Sequence, residues 1–346
     1  MVAPVVLLTP NLTGHDGISA VARLVLGAFD RVLVLALHEP ARLTTFDGAT
    51  VRGAGGRRPR FARAALAAAA TTPRATVIVN HVHLAPAALA FALRGGTLVS
   101  ILHGIEAWTP LTGLQRAALM RSDRLIAVSA FSRDRFLAEN PQFAGRHVDV
   151  CHHGIGPAAV PDTPSDRTPA ALIVGRMTAD ERYKGHDALI EIWPAVLAAV
   201  PEAVLRIVGD GDDRRRLEQK AAAMGLGGHV VFTGGIDDDA VQREYQRATV
   251  FTMPSPREGF GLVFLEAMRA ARSCIGCRGA ASEIIADGDT GWIVEPGDRD
   301  RLTERVIRTL RDRSESVAMG ARGRARYLQH FTEAHFRQRL TALVTQ

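Results

Sequence analysis

Short apolar runs recur along this chain, each followed by a longer segment of helical period, and that alternation leaves few folds open. Val5–Leu8, Val32–Leu37, Val77–Val79, Leu98–Leu102 and Leu125–Val128 are the first set. The rhythm restarts at Ala170–Val174 and continues through Val204–Val208, Val230–Phe232, Val250–Met253 and Cys274–Gly276. Strands covered on both faces read as continuous apolar runs, and parallel strands need helical crossovers between them. The pattern predicts an α/β chain with two Rossmann-like, doubly wound domains, residues 1–160 and 168–330, which is also what 346 residues would ordinarily build. A C-terminal helix at about 331–346 can pack back on the first domain. Gly156–Pro169, with Pro157, Pro161, Pro164 and Pro169 among small and acidic residues, reads as an extended linker and a hinge candidate.

Composition narrows the class further. Hydrophobic residues make up 47% and charged residues 23% of the chain, which describes a folded globular protein and excludes disorder. Met1 leads directly into the strand-like Val2–Leu8, and no apolar run approaches the ~20 residues of a membrane span. Cys274 and Cys277 form a lone CxxC without a second ligand pair, so two buried thiols are expected and the compartment reads as cytosolic. The net charge of +6 belongs to the N-terminal half, where Arg57, Arg58, Arg60 and Arg63 are the densest cluster. A solvated Arg-rich surface and a peripheral contact with anionic membrane explain that cluster equally well. Without interleaved aromatic residues it does not suggest nucleic-acid binding.

In open parallel sheets ligands bind beyond the carboxyl ends of the strands, so two facing domains would line a cleft with strand-end loops. Ala170–Val174 ends in Gly175-Arg176, and Lys184-Gly185-His186-Asp187 precedes a helical pattern over Ala188–Val200. Two cations near one strand end suit a diphosphate, although alone they serve equally as surface charges. Lys184 is one of only two lysines in an Arg-rich chain. Gly209-Asp210-Gly211 follows the next strand, allowing close approach of a ligand or simply a tight turn. After Val250–Met253, Glu258-Gly259-Phe260-Gly261 opens a helix carrying Glu266. Free amides at a helix start favour an anion, and a carboxylate on an apolar helix needs a hydroxyl partner such as a ribose. A capped core helix with one exposed Glu is the alternative.

With these residues in place the chain resembles a GT-B-fold retaining glycosyltransferase of family 4, the group also called glycosyl transferases group 1. Glu258 and Glu266 match the two carboxylates of that family's motif, with Gly259-Phe260-Gly261 in register. Ser282-Glu283, Asp287-Gly288, Gly291 and Val294-Glu295-Pro296 continue the pattern, whereas Ala271-Arg272-Ser273 stands where the family usually carries a Gly and a Pro. The resemblance implies that Glu258 and the following amides hold the donor sugar, Glu266 the ribose, and Arg176 with Lys184 the diphosphate. Gly14–Ser19 resembles the glycine-rich first loop, with Gly17 near the donor phosphate, although an ordinary strand-to-helix turn is an alternative. His103 matches a functional His that faces the transferred sugar; capping of its own loop would also account for it. His81 and His83, on one side of an extended segment, read as lining or packing. Asp237, Asp238 and Asp239 read as first-turn acids on a helix rather than metal ligands.

The reaction implied is transfer of a hexose from GDP-mannose or a UDP-hexose to a hydroxyl of a glycan, lipid-linked or polysaccharide-precursor acceptor. It proceeds with retention, with the leaving diphosphate stabilised by the two cations and by helix-terminal amides, and with no metal or other cofactor. A cytoplasmic protein, peripheral on the inner face of the membrane, fits the charge pattern. A nucleotide-sugar epimerase of the same shape and a catalytically silent sugar-nucleotide-binding subunit are the rivals. A dinucleotide oxidoreductase would need a three-glycine fingerprint that the first loop lacks.

Overall fold

The computed structural model describes residues 4–14, 16–158 and 168–345. Met1–Ala3, His15 and the linker residues 159–167, with Pro161 and Pro164, lie outside the described residues. The chain forms two compact units, one of Met1–Gly154 with Glu333–Gln346, the other of Ile155–Thr332.

The first unit runs β1 (Val5–Thr9), α1 (Gly17–Leu26), β2 (Val32–Ala36), β3 (Leu43–Phe46), β4 (Ala49–Gly53), α2 (Arg58–Thr71) and β5 (Thr76–Val79). It continues through α3 (Ala85–Ala92), β6 (Thr97–Leu102), α4 (Gly113–Arg121), β7 (Arg124–Ala127), α5 (Ala130–Glu139) and β8 (Val148–Val150). Its sheet has the order β3-β4-β2-β1-β5-β6-β7-β8, parallel except at β3. Every residue of β1 is buried, because helices cover both faces. Phe91 and Phe136 are wholly enclosed in the core, and burial of an aromatic side chain of this size contributes about 1.5–3 kcal/mol.

The second unit runs β9 (Ala170–Val174), α6 (His186–Ala199), β10 (Val204–Val208), α7 (Arg214–Ala223), β11 (Val230–Gly234), α8 (Asp238–Arg247) and β12 (Val250–Met253). Then come α9 (Leu262–Arg269), β13 (Ser273–Cys277), α10 (Ala281–Ile284), β14 (Gly291–Val294), α11 (Arg299–Arg311) and α12 (Arg313–His330), before α13 (Glu333–Thr345) closes the chain as part of the first unit. Its parallel sheet has the order β11-β10-β9-β12-β13-β14. The winding reverses between β9 and β12, which is where such sheets bind ligands.

Four strands escape the apolar-run pattern. At the sheet edge β3 alternates exposed and half-buried residues and β4 buried and exposed ones, so no continuous run marks them. They are joined by Asp47-Gly48, both left-handed at φ 47° and 77°, the two-residue hairpin turn that Asp-Gly favours. β8 is only three residues long, and β14 starts at Gly291, whose missing side chain leaves room for the Cys274 carbonyl. Cys274 and Cys277 are buried free thiols on β13, three residues apart and therefore on opposite faces of the strand. Asp237 caps α8 by accepting from the Ala240 amide at 2.7 Å, with Asp238 and Asp239 in the first turn.

Candidate functional site

In the second unit the loops after β10, β9 and β12 lie side by side, because those strands are neighbours. After β10 the backbone at Gly209 and Gly211 takes φ values of 132° and 154°. A Cβ on Gly209 would fall 2.1 Å from the Gly175 carbonyl oxygen, and one on Gly211 equally close to that of Met177. Contact with the loop after β9 therefore requires both glycines, whatever else they touch.

Arg176 leaves the β9 edge with its side chain 62% exposed, and Lys184 lies at the end of the short helical turn Ala179–Lys184. Both cations meet the same carboxylate: Arg176 bonds Glu181 Oε1, and Lys184 Nζ is 3.2 Å from Oε2. Glu181 carries no motif signal, yet it brings the two predicted cations together. Gly185 then turns the chain into α6 at φ 96°, where a Cβ would strike the Pro254 ring at 2.6 Å. That contact joins the Lys184 turn to the loop after β12. His186 follows, buried and held near pKa 4 by burial first and the Lys184 charge second.

Glu258 is half-buried in the β12 loop. Burial pushes its carboxyl above the usual carboxylate range; Lys184 opposes the rise and Glu181 adds to it. The Tyr183 phenol beside it is pushed up by burial, then by Glu181 and Glu258, while Arg257 stacks 5.5 Å from its ring. Arg176, Lys184, Glu181, Tyr183 and Glu258 thus form one charged group at the switch point of the second sheet.

The helix begins later than the motif alone suggests. α9 starts at Leu262, with Gly261 as its left-handed cap at φ 99°, and Gly259 lies in the preceding turn. The position of a Gly261 Cβ is 2.7 Å from Phe264 and 3.3 Å from Glu258 Cγ, so Glu258 folds over this glycine. Phe260 is buried, its ring 6.3 Å from that of Phe331. Glu266 lies one turn into α9, and its Oε2 accepts the Tyr245 hydroxyl at 2.8 Å. Burial raises the Glu266 carboxyl, with the Tyr245 bond and Arg269 opposing. Its Oε1 accepts no hydrogen bond among the described residues. Tyr245 therefore supplies one of the hydroxyl partners that Glu266 demands, and it is legible only as an aromatic residue on the buried face of α8.

His103 and Gly17 belong to the first unit. Gly17 is exposed as the first residue of α1, behind the Asp16 cap, which accepts from Ile18 and Ser19 amides at 3.0 Å each. His103 follows β6. Its amide donates to Glu106 at 2.8 Å, its Nε2 is 2.9 Å from Asn80 Oδ1, and its ring stacks on His153 with centroids 5.7 Å apart. Burial lowers the His103 imidazole to about 4 against the attraction of Glu106. His81 caps a short helical turn, Val82–Leu84, rather than lying in an extended segment, because its Nδ1 accepts the His83 amide. Asn80, His153, Glu181 and Tyr245 are the residues of these sites that motif reading missed.

Sucrose-phosphate synthase from Thermosynechococcus elongatus superimposes with a TM-score of 0.82 at 22% identity, over 99% of this chain and 98% of that one. Two parallel-sheet units of this kind make up the GT-B glycosyltransferase fold. Residues 168–312 match the family model described as glycosyl transferases group 1. A monoacylated alpha-(1-6)-phosphatidylinositol monomannoside mannosyltransferase of Corynebacterium glutamicum, named as GDP-mannose-dependent, is 30% identical over 290 residues, 75% of this chain and 74% of the relative. The corresponding GDP-mannose-dependent mannosyltransferase of Mycolicibacterium smegmatis is 32% identical over 251 residues, 66% of this chain. The match spans 64% of that relative's length, a little under two thirds. The chain belongs to the glycosyl transferases group 1 family.

Proposed function

We propose that this chain is a retaining glycosyltransferase that moves a hexose from a nucleotide-sugar donor to a hydroxyl of a glycan, lipid-linked or polysaccharide-precursor acceptor. The observation that carries the proposal is the pairing of Arg176 and Lys184 on one carboxylate beside Glu258, at the switch point of the second sheet. GDP-mannose is the first donor to try, since two relatives are named as dependent on it; a UDP-hexose is the other.

In this reading the diphosphate takes the two cations from Glu181 and is stabilised by them without a metal ion. Charge-assisted contacts of this kind act most strongly on the developing anion of the leaving group. Glu258 and the amides of Gly259, Phe260 and Gly261 hold the sugar, Glu266 Oε1 the ribose, and His103 faces the transferred sugar from the first unit, with Gly17 near the phosphate. Gly209 and Gly211 bring backbone close to the nucleotide.

The acceptor side is supported by charge. α2, α3 and α4 pack as neighbours, and their solvent sides combine Arg58, Arg63 and Arg116 with the exposed Leu66, Leu93 and Leu114. Exposed basic and apolar groups on three neighbouring helices suit peripheral contact with an anionic leaflet on the cytoplasmic side, where a lipid-linked acceptor would lie. No helix among the described residues is long and apolar enough to cross a membrane. Lys184→Ala is expected to lower transfer by about 10²–10³-fold with the fold intact. Transfer at the wild-type rate would remove the diphosphate assignment.

A further inference from the structure

Asn80 is fully buried at the end of β5, beside β1, where the winding of the first sheet reverses. A buried primary amide is costly unless its donors and acceptor are matched. Its Nδ2 donates to the Ile18 carbonyl at 3.0 Å and to Thr9 Oγ1 at 3.3 Å. Thr9 sends its own hydroxyl hydrogen to the Asn11 carbonyl at 2.8 Å, so it meets Asn80 as an acceptor. A carbonyl can only accept. Both amide hydrogens are therefore assigned, and flipping the amide would set acceptor against acceptor. Oδ1 remains for His103 Nε2, 2.9 Å away, and an acceptor at that distance requires Nε2 to carry a proton. In the neutral ring the lone pair then belongs to Nδ1, which makes no hydrogen bond among the described residues.

The charged and titratable groups around this imidazole are Glu106 at its amide, Asp16 at the start of α1, His81 after β5, and His153 stacked on its face. Burial dominates and lowers the imidazole to about 4; the two carboxylates and the Asn80 backbone favour the cation and His81 opposes it.

We propose that Asn80 is a positioning residue that fixes His103 as the Nε2–H tautomer, so that Nδ1 accepts a hydrogen bond from a hydroxyl of the bound sugar or acceptor. The inference rests on the reading that His103 faces the transferred sugar, and it names the atom that does the work. The wrong tautomer would point an N–H at that hydroxyl and reverse its hydrogen bond.

Imidazole ¹⁵N spectra of the full chain, labelled at histidine and assigned with a His103→Gln control, read the tautomer independently of turnover. The wild-type protein at pH 7 is expected to show His103 protonated at Nε2 and bare at Nδ1. Asn80→Leu removes the acceptor at similar volume; the His103 signals are expected to move toward mixed tautomers and kcat to fall by about 10²-fold. Asn80→Asp keeps an acceptor in place and adds charge, so the tautomer is expected to persist while the acid limb of the rate profile moves to higher pH. Protonation at Nδ1 in the wild type would overturn the proposal. So would an Asn80→Leu variant with unchanged His103 signals, and should that variant fail to fold, the wild-type spectrum and the Asn80→Asp profile decide. Unaltered transfer by His103→Gln would instead refute the role at the hydroxyl, leaving the tautomer assignment to stand or fall on the spectra.

Discussion

Glu258 carries a cost in the free protein. Its carboxyl is raised above the ordinary 4.5 chiefly by burial. A carboxyl raised on folding favours the folded state most at low pH, and that contribution is lost as pH rises through the folded value. At pH 7 the charged side chain is therefore a burden that a bound ligand can offset. Glu258→Gln is expected to raise the melting temperature at pH 7 while abolishing most transfer, with the stability gain shrinking as pH falls through the raised folded-state value toward 4.5 and vanishing below it; melting curves across pH on both proteins check it. A variant less stable than wild type at pH 7 would mean that Glu258 is anchored by the fold. At this scale the motif carboxylates were legible in the sequence because their spacing and flanking glycines are local. Glu181, Tyr245 and Asn80 were not, since each gains meaning from a residue brought to it by tertiary packing.

At the scale of elements, the turn after α9 explains a departure from the family's usual residues. Ala271 adopts the left-handed region at φ 54°, where a Cβ costs about 1–2 kcal/mol and where a glycine would be unstrained. The turn is held in place from outside: Gly320 of α12 approaches so closely that a Cβ there would lie 2.1 Å from the Ala271 carbonyl oxygen. The left-handed turn is made here with Ala271-Arg272, Arg272 donating to the Ala248 and Ala270 carbonyls at 3.1 and 3.0 Å. Ala271→Gly is expected to stabilise the second unit by about 1 kcal/mol, near 2–4 °C in melting temperature. No gain, or a loss, in a thermal melt would count against strain at this turn. Buried parallel strands were legible as apolar runs. The hairpin of β3 and β4 was not read, although Asp47-Gly48 signalled it, because its half-exposed strands break the run pattern.

For the whole molecule, charge gives the acceptor proposal its test. Each Arg near an anionic surface contributes about 1 kcal/mol, screened within a Debye length. The chain is expected to sediment with phosphatidylglycerol vesicles at low salt and to be released at high salt, with weaker binding for Arg58→Glu, Arg63→Glu. Absence from the pellet at low salt would remove the membrane contact. The doubly wound class and the donor-side motif were visible in the chain because both are written in local pattern. The acceptor side was not, since it depends on how separate helices place their solvent faces.

The second unit is proposed to grip a nucleoside diphosphate through Arg176 and Lys184. That grip is tested most directly by thermal melts of wild type and Lys184→Ala with GDP, GDP-mannose, UDP and UDP-glucose, in the presence of a chelator. A ligand at a hundred times its dissociation constant adds about 2.7 kcal/mol to the stability of the form that binds it. One nucleotide series is expected to raise the wild-type melting temperature by several degrees without metal, and to do so much less in Lys184→Ala. No shift with any nucleotide, or equal shifts in both proteins, would contradict the account.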